Sequence, residues 1–141
     1  MKFIIQGGQK LSGNITLAGA KNSSSKLLIA TLLTDEECVL ENFPRIGETD
    51  IAGELCEMIG ASLSITENTV RIKTPTIKNT SVLSLTRKNR LPAIALGPLL
   101  SRAGEAEIPT PGGDKLGARP IDMHIDALKK MGAEIEANDF G

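Results

Sequence analysis

The sequence has no tryptophan or tyrosine and only three phenylalanines, at positions 3, 43 and 140. It therefore offers little aromatic surface on which nucleic-acid bases could stack, and its core has to be aliphatic. Neither sign of charge dominates: 16 Lys and Arg against 17 Asp and Glu leave a net charge of −1, so no global field draws the chain to nucleic acid or to a membrane surface. No apolar run approaches the ~20 residues of a membrane span. The run Phe3-Ile4-Ile5 is far too short for a signal peptide, which points to the cytoplasm. The two cysteines, Cys38 and Cys56, lack the short spacing of a metal pair and make no disulfide framework, so both are expected to be buried structural thiols. No metal-ligand cluster is visible, so no metal is expected. With 141 residues, the chain has one domain's worth of sequence to bury a core.

What the sequence does contain is a shaped loop, Pro109-Thr110-Pro111-Gly112-Gly113-Asp114-Lys115-Leu116-Gly117-Ala118-Arg119-Pro120-Ile121-Asp122-Met123-His124. Its glycines let the backbone approach a ligand closely, with Asp114 at the tip. Pro120 suits a first helical turn, and Ile121, Ile125 and Leu128 follow at helical spacing, so Arg119 stands beside a helix N-terminus. Free N–H groups, the macrodipole and an adjacent guanidinium together favour phosphate or carboxylate. On spacing alone, a surface turn with scattered charges explains the loop better than a ligand site does. His124 reads as a surface or supporting residue rather than a catalyst.

The rest of the chain reads as alternating elements. Lys2 to Gln6 and Asn14 to Leu17 are expected as short strands. Asn22 or a following serine caps a helix running through Leu33, with Lys21 beside the capped end; either a polar cap on a buried helix or an anion site fits. Glu37 to Glu41 reads as a strand, Thr49 or Asp50 as a cap, Ile51 to Ile59 as a helix that Gly60 ends, and Ser62 to Thr66 with Thr69 to Lys73 as a hairpin about Glu67-Asn68. Arg87, Lys88 and Arg90 crowd the entrance of an apolar helix, Leu91 to Leu100, with Pro92 in its first turn and Gly97-Pro98 set to kink or interrupt it unless neighbours absorb the lost hydrogen bond. Arg90, next to the apolar run, is the ligand-facing candidate. Glu105 to Pro109 reads as a strand. The order helix, strand, loop, helix, Gly-Ala, strand occurs over Leu27 to Ile65 and again over Leu91 to Ala137, so two copies of one α/β unit are expected. The second copy ends where its returning strand should follow.

Gly19-Ala20-Lys21-Asn22, Leu96-Gly97-Pro98-Leu99, and Pro111-Gly112-Gly113-Asp114 through Gly117-Ala118-Arg119-Pro120-Ile121-Asp122 together resemble the UDP-N-acetylglucosamine 1-carboxyvinyltransferase family. The resemblance covers essentially the whole chain in the right order. It implies an α/β fold of repeated βαβ-type units from an inside-out α/β barrel, incomplete here because members are roughly three times this length. Residues 1–20 would be strands of the second domain, and residues 21–141 the first two α/β units of the first domain. The implied activity is transfer of the enolpyruvyl group of phosphoenolpyruvate to the 3-hydroxyl of UDP-N-acetylglucosamine with release of phosphate, the step that commits the sugar nucleotide to peptidoglycan synthesis and so to cell-wall growth. Those two small molecules are the implied partners; nucleic acid and membrane are not, and the sequence leaves the oligomeric state open. The implied reaction needs no redox cofactor, so no cofactor is expected.

The resemblance also implies roles residue by residue. Lys21 and Asn22 match the positions that bind phosphoenolpyruvate, and Arg90 matches an arginine that contacts the sugar nucleotide. Arg119, Pro120, Ile121, Asp122 and Met123 match the segment that binds UDP-N-acetylglucosamine, with Arg119 also placed to meet the phosphate of phosphoenolpyruvate. Asp114 matches the catalytic acid, which is cysteine in many members; the cysteine forms are alkylated by fosfomycin, so aspartate implies resistance. The lead-in Arg87-Lys88-Asn89 departs from the family's usual Lys-Thr-Met. Two other classes share the same residues: a sugar-nucleotide-binding module without catalysis, and a purely structural paralogue. The chain alone is expected not to turn over.

Overall fold

The computed structural model describes residues 2–85, 90–109 and 120–136. Its centre is one split βαβ arrangement. Helix α1 (Lys21–Ala30) continues through a 3-10 turn (Thr31–Leu33) to strand β1 (Cys38–Leu40), helix α2 (Gly47–Ile59), and the hairpin β2 (Ser62–Thr66) and β3 (Thr69–Lys73). The sheet order is β1-β3-β2, and both outer strands are antiparallel to β3. β1 and β2 therefore run parallel, with the third strand inserted between them. Register follows the side-chain pattern. Cys38, Ile72 and Leu63 form one cross-strand row and Leu40, Val70 and Ile65 the next, while Val39, Arg71 and Ser64 face out. A one-residue slip would turn the apolar rows to solvent, so burial fixes the pairing. On the outer face Arg71 meets Glu37 at 3.1 Å.

Helices α1, α2 and α3 (Leu91–Ala103) supply the rest of the core, with Leu28, Ile29, Leu32, Leu55, Ile59 and Leu99 almost wholly removed from water. Each such aliphatic side chain contributes on the order of 2 kcal/mol by burial. α3 runs unbroken through Pro98: the ring removes one donor, but Pro98 is itself buried and its neighbours Ala95 and Leu99 pack the helix into the core on both sides. Gly104, in the left-handed region, ends α3. Helix α4 (Asp122–Lys130) follows, with no buried side chain.

The hairpin, the end of α2 at Gly60 and the existence of all four helices agree with the sequence reading. Several details differ. Residues 2–6 and 14–17 form no strand, because no neighbouring strand pairs with them among the described residues; Leu11 is 92% exposed and Ile5 90%. Asn22 does not cap α1: Ala20 is the N-cap, and Lys21 and Asn22 lie within the first turn. α2 starts at Gly47, ahead of the expected caps; Thr49 sits within its first turn, accepts the Ile46 N–H at 3.2 Å and donates to the Pro44 carbonyl at 3.0 Å. The strand expected at Glu105 to Pro109 is a single parallel bridge, Ser81 to Glu107, since among the described residues only Thr80 and Val82 offer it backbone partners. Pro120 precedes α4, whose N-cap is Ile121. Cys56 is fully buried, but Cys38, on an edge strand, is only half-buried.

Of the expected repeat, the structure shows one shared feature, the way α2 and α4 end. Gly60 has φ 122° and Gly132 has φ 100°, and in each case the following alanine donates back five residues, Ala61 to the Cys56 carbonyl at 2.9 Å and Ala133 to Leu128 at 3.0 Å. Only glycine adopts that conformation without strain, so Gly-Ala recurs where the same C-terminal motif recurs. The second copy has no strand at 133–136.

Candidate functional site

Helix direction decides what the candidate residues share. Near their starts, Ser25 on α1 donates to Glu48 on α2 at 2.9 Å; further along, Cys56 reaches the Leu28 carbonyl at 3.7 Å. α1 and α2 thus run the same way. At the other end, Arg102 near the C-terminus of α3 donates to the Leu32 carbonyl at 3.0 Å, while α3 packs along α1 and its 3-10 continuation. The three helices present their N-termini at one end of the domain, which places Lys21, Asn22, Glu48 and Arg90 at that end.

The three ends are not electrostatically alike. α2 carries Glu48 and Asp50 in its first turn, which complement its positive end. α1 and α3 have no acidic residue there and no side-chain cap; instead Lys21 begins α1 and Arg90 is the N-cap of α3. Cations at a helix N-terminus oppose the macrodipole by a few tenths of a kcal/mol each when exposed, a conflict that a bound anion relieves.

The lead-in to α1 is held by a close backbone approach. Asn42 adopts φ 52°, its carbonyl accepts the Gly19 N–H at 3.0 Å, and its side-chain amide donates to the Leu17 carbonyl at 3.3 Å. A Cβ on residue 19 would collide with that carbonyl, so the first residue of Gly19-Ala20-Lys21-Asn22 must be glycine for Lys21 to start the helix where it does.

Lys21 Nζ lies 3.3 Å from Glu48 Oε2. Burial raises the Glu48 pKa, but the Ser25 hydroxyl, Lys21 and Lys26 together outweigh it, and the carboxyl ends below the ordinary glutamate value. Lys26 is turned onto the Asn22 carbonyl at 2.7 Å. Sequence reasoning missed Glu48; an acidic residue in the first turn of a neighbouring parallel helix was the available signal. It also missed Arg102, which ties four carbonyls together and is structural.

Of the other candidates, Pro120 and Met123 are exposed, Ile121 is half-buried at the N-cap of α4, and Asp122 opens that helix. No hydrogen bond or ion pair among the described residues joins positions 120–123 to Lys21, Asn22 or Arg90. Asp114 and Arg119 lie outside the described residues, as do Arg87, Lys88 and Asn89. A cleft of about 200 Å³ between α2 and the hairpin is a different place: its floor is Phe43, Leu63 and Val70, and its rim carries Asp50, Glu54 and Glu57 with Arg45 as the one cation, a predominantly acidic lining that disfavours an anion. Among the described residues no three His, Cys, Asp or Glu side chains gather as a metal site, and no helix is long and apolar enough to cross a membrane.

A family model described as EPSP synthase (3-phosphoshikimate 1-carboxyvinyltransferase) matches residues 5–140. The chain belongs to the EPSP synthase family. Relatives named UDP-N-acetylglucosamine 1-carboxyvinyltransferase are similar over nearly all of it. The one from Methylacidiphilum infernorum is 45% identical over 135 residues, covering 96% of this chain and 32% of the relative. The one from Maricaulis maris is 43% identical over 140 residues, covering 98% and 33%. The chain thus spans about a third of the length of these relatives. Among solved structures, the enolpyruvyl transferase NikO from Streptomyces tendae superposes with a TM-score of 0.59 at 26% identity, covering 70% of this chain and 23% of that one. The enolpyruvyl transferase fold expected from the sequence is the fold of this EPSP synthase family member, and its mixed helix and sheet are those of an incomplete α/β unit.

Proposed function

We propose that the protein containing this chain transfers the enolpyruvyl group of phosphoenolpyruvate to the 3-hydroxyl of UDP-N-acetylglucosamine and releases phosphate, serving peptidoglycan synthesis in the cytoplasm. The observation that carries this reading is the convergence of the N-termini of α1 and α3, both without acidic residues in the first turn and both bearing a cation, at one end of a domain of this family. The names of the relatives supply the acceptor, UDP-N-acetylglucosamine, and the carboxyvinyl group it receives; phosphoenolpyruvate as the donor is what the family resemblance implies.

In this reaction the sugar oxygen bonds to C2 of phosphoenolpyruvate while C3 gains a proton; phosphate then leaves C2 and C3 gives up a proton. Positive character builds at C2 between a carboxylate and a phosphate, so cations must hold those groups while an acid protonates C3. Lys21, Asn22 and Arg119 hold phosphoenolpyruvate. Arg90 and the segment Arg119, Pro120, Ile121, Asp122, Met123 hold the sugar nucleotide. Asp114 delivers the proton, so the enzyme resists fosfomycin. Residues 1–20 pair with a second domain that completes the cleft; the exposed apolar side chains of Phe3, Ile4, Ile5, Leu11 and Ile15, with backbone hydrogen bonds among the described residues confined to Leu17, Gly19 and Ala20, support this assignment.

The reading is tested by Lys21→Ala in the complete protein. Loss of one cation on an ionised group in a closed site should weaken use of phosphoenolpyruvate by on the order of 2 kcal/mol, with the KM for UDP-N-acetylglucosamine little changed. An unchanged KM for phosphoenolpyruvate would remove α1 from the site.

A further inference from the structure

Glu48 is an odd neighbour for a site that binds anions. It stands at the end of the domain where Lys21 and Arg90 lie, and its charge repels what those cations attract. Its surroundings explain why it is tolerated. One carboxylate oxygen accepts the hydroxyl of Ser25, which is fully buried, and the other meets Lys21. The carboxylate also sits in the first turn of α2, where the positive helix end offsets part of its charge. Its position is therefore fixed from the core side by Ser25 and α2, independently of Lys21. Lys21, by contrast, has no other anchor among the described contacts: its side chain is 65% exposed, against 30% for Glu48. Lys26, the other nearby cation, is turned onto the Asn22 carbonyl, which leaves the second Glu48 oxygen to Lys21.

We propose that Glu48 is a positioning residue for substrate: anchored by Ser25 and the α2 N-terminus, it holds the flexible Lys21 ammonium at the helix end, aimed at the anionic group of phosphoenolpyruvate. The inference rests on the reading of Lys21 as a phosphoenolpyruvate ligand. An unfixed lysine loses its rotamer freedom on every binding event; one already oriented by a carboxylate gives up less, and that saving appears in affinity. The attraction of Lys21 for phosphoenolpyruvate persists because an ammonium has three donors and Glu48 uses one.

The test is a double-variant cycle in the complete protein, read as KM for phosphoenolpyruvate and for UDP-N-acetylglucosamine separately. Glu48→Gln should raise the KM for phosphoenolpyruvate roughly three- to tenfold, leave that for UDP-N-acetylglucosamine in place, and have no further effect once Lys21 is alanine, as expected of two residues acting as one unit. Ser25→Ala, which keeps the charge but removes its anchor, should give a smaller rise of the same selectivity and decides the matter if Glu48→Gln does not fold. A KM that is unchanged or lowered in the Glu48 variant, or an effect that persists in full beside Lys21→Ala, overturns the proposal. If Lys21→Ala alone leaves the KM for phosphoenolpyruvate unchanged, the site reading itself fails, a separate result.

Discussion

Replacing Arg102 by methionine should destabilise the domain more than any other exchange of a partly exposed charged residue. Its Nη1 donates to the carbonyls of Leu32 at 3.0 Å, Thr34 at 3.0 Å and Thr74 at 2.9 Å, and its Nη2 to Pro75 at 3.2 Å. One side chain thus gathers the end of the 3-10 turn and the exit of β3 onto α3. A hydrogen bond from a charged donor contributes about 1.5–3 kcal/mol. The four do not add, because three acceptors share the two hydrogens of Nη1 and the Pro75 contact is exposed. Methionine keeps the apolar stem and removes the fork, leaving part-buried carbonyls without a donor, so a loss of about 3 kcal/mol is expected. Against a typical domain stability of about 5–15 kcal/mol, that is a large fraction. Lysine at 102 retains the favourable charge at the helix C-terminus, ~0.3–1 kcal/mol, but cannot span the four acceptors, and should recover less than half. Urea unfolding of the chain followed by far-UV circular dichroism reads this directly: the midpoint should fall with little change in slope. A methionine variant within about 0.5 kcal/mol of the parent, or full recovery by lysine, would refute the reasoning.

The remaining predictions concern charge. Because the folded Glu48 pKa lies below its unfolded value, its contribution to stability is complete above the unfolded value and is lost as pH falls through the lower folded one; a carboxyl-carbon NMR titration should place its midpoint below that of the urea-unfolded chain, and a midpoint at or above it would contradict the Lys21 and Ser25 contacts. A carboxylate is a weak nucleophile toward an epoxide, so the complete protein should stay active in fosfomycin, and Asp114→Cys should confer time-dependent inactivation. Cys56, fully buried and with its pKa pushed up to about 12 chiefly by burial, should take no part; inactivation of the parent protein mapped to residue 114 would sink that argument.

Elements with a complete local signature were legible in the sequence. The hairpin was fixed by alternation on both sides of Glu67-Asn68, and the end of α2 by a glycine that the C-terminal motif requires. Helix starts were misplaced because Ala20 and Ile46 carry no capping side chain, so the polar residues just inside each helix drew the boundary inward. The expected strands at 2–6, 14–17 and 105–109 had the right alternation, but a strand exists only with a partner, and pairing is not a local property. At the site, Lys21 and Arg90 could be picked out as cations beside helix starts. That α1 and α3 run parallel, bringing both to one end, and that Glu48 comes with them, depends on packing among Leu28, Leu32, Cys56 and Leu99, and no stretch of sequence states it.

The account stands most directly on phosphate release. The complete protein, given phosphoenolpyruvate and UDP-N-acetylglucosamine together, should release phosphate and yield an enolpyruvyl ether of the sugar nucleotide, detectable by mass spectrometry. Omitting either substrate, or replacing Asp114 by asparagine, should abolish release, and residues 1–141 alone should give none because they span only about a third of the length of the relatives named for this activity. Release that does not need the sugar nucleotide, or turnover by residues 1–141 that Asp114→Asn abolishes, would contradict it.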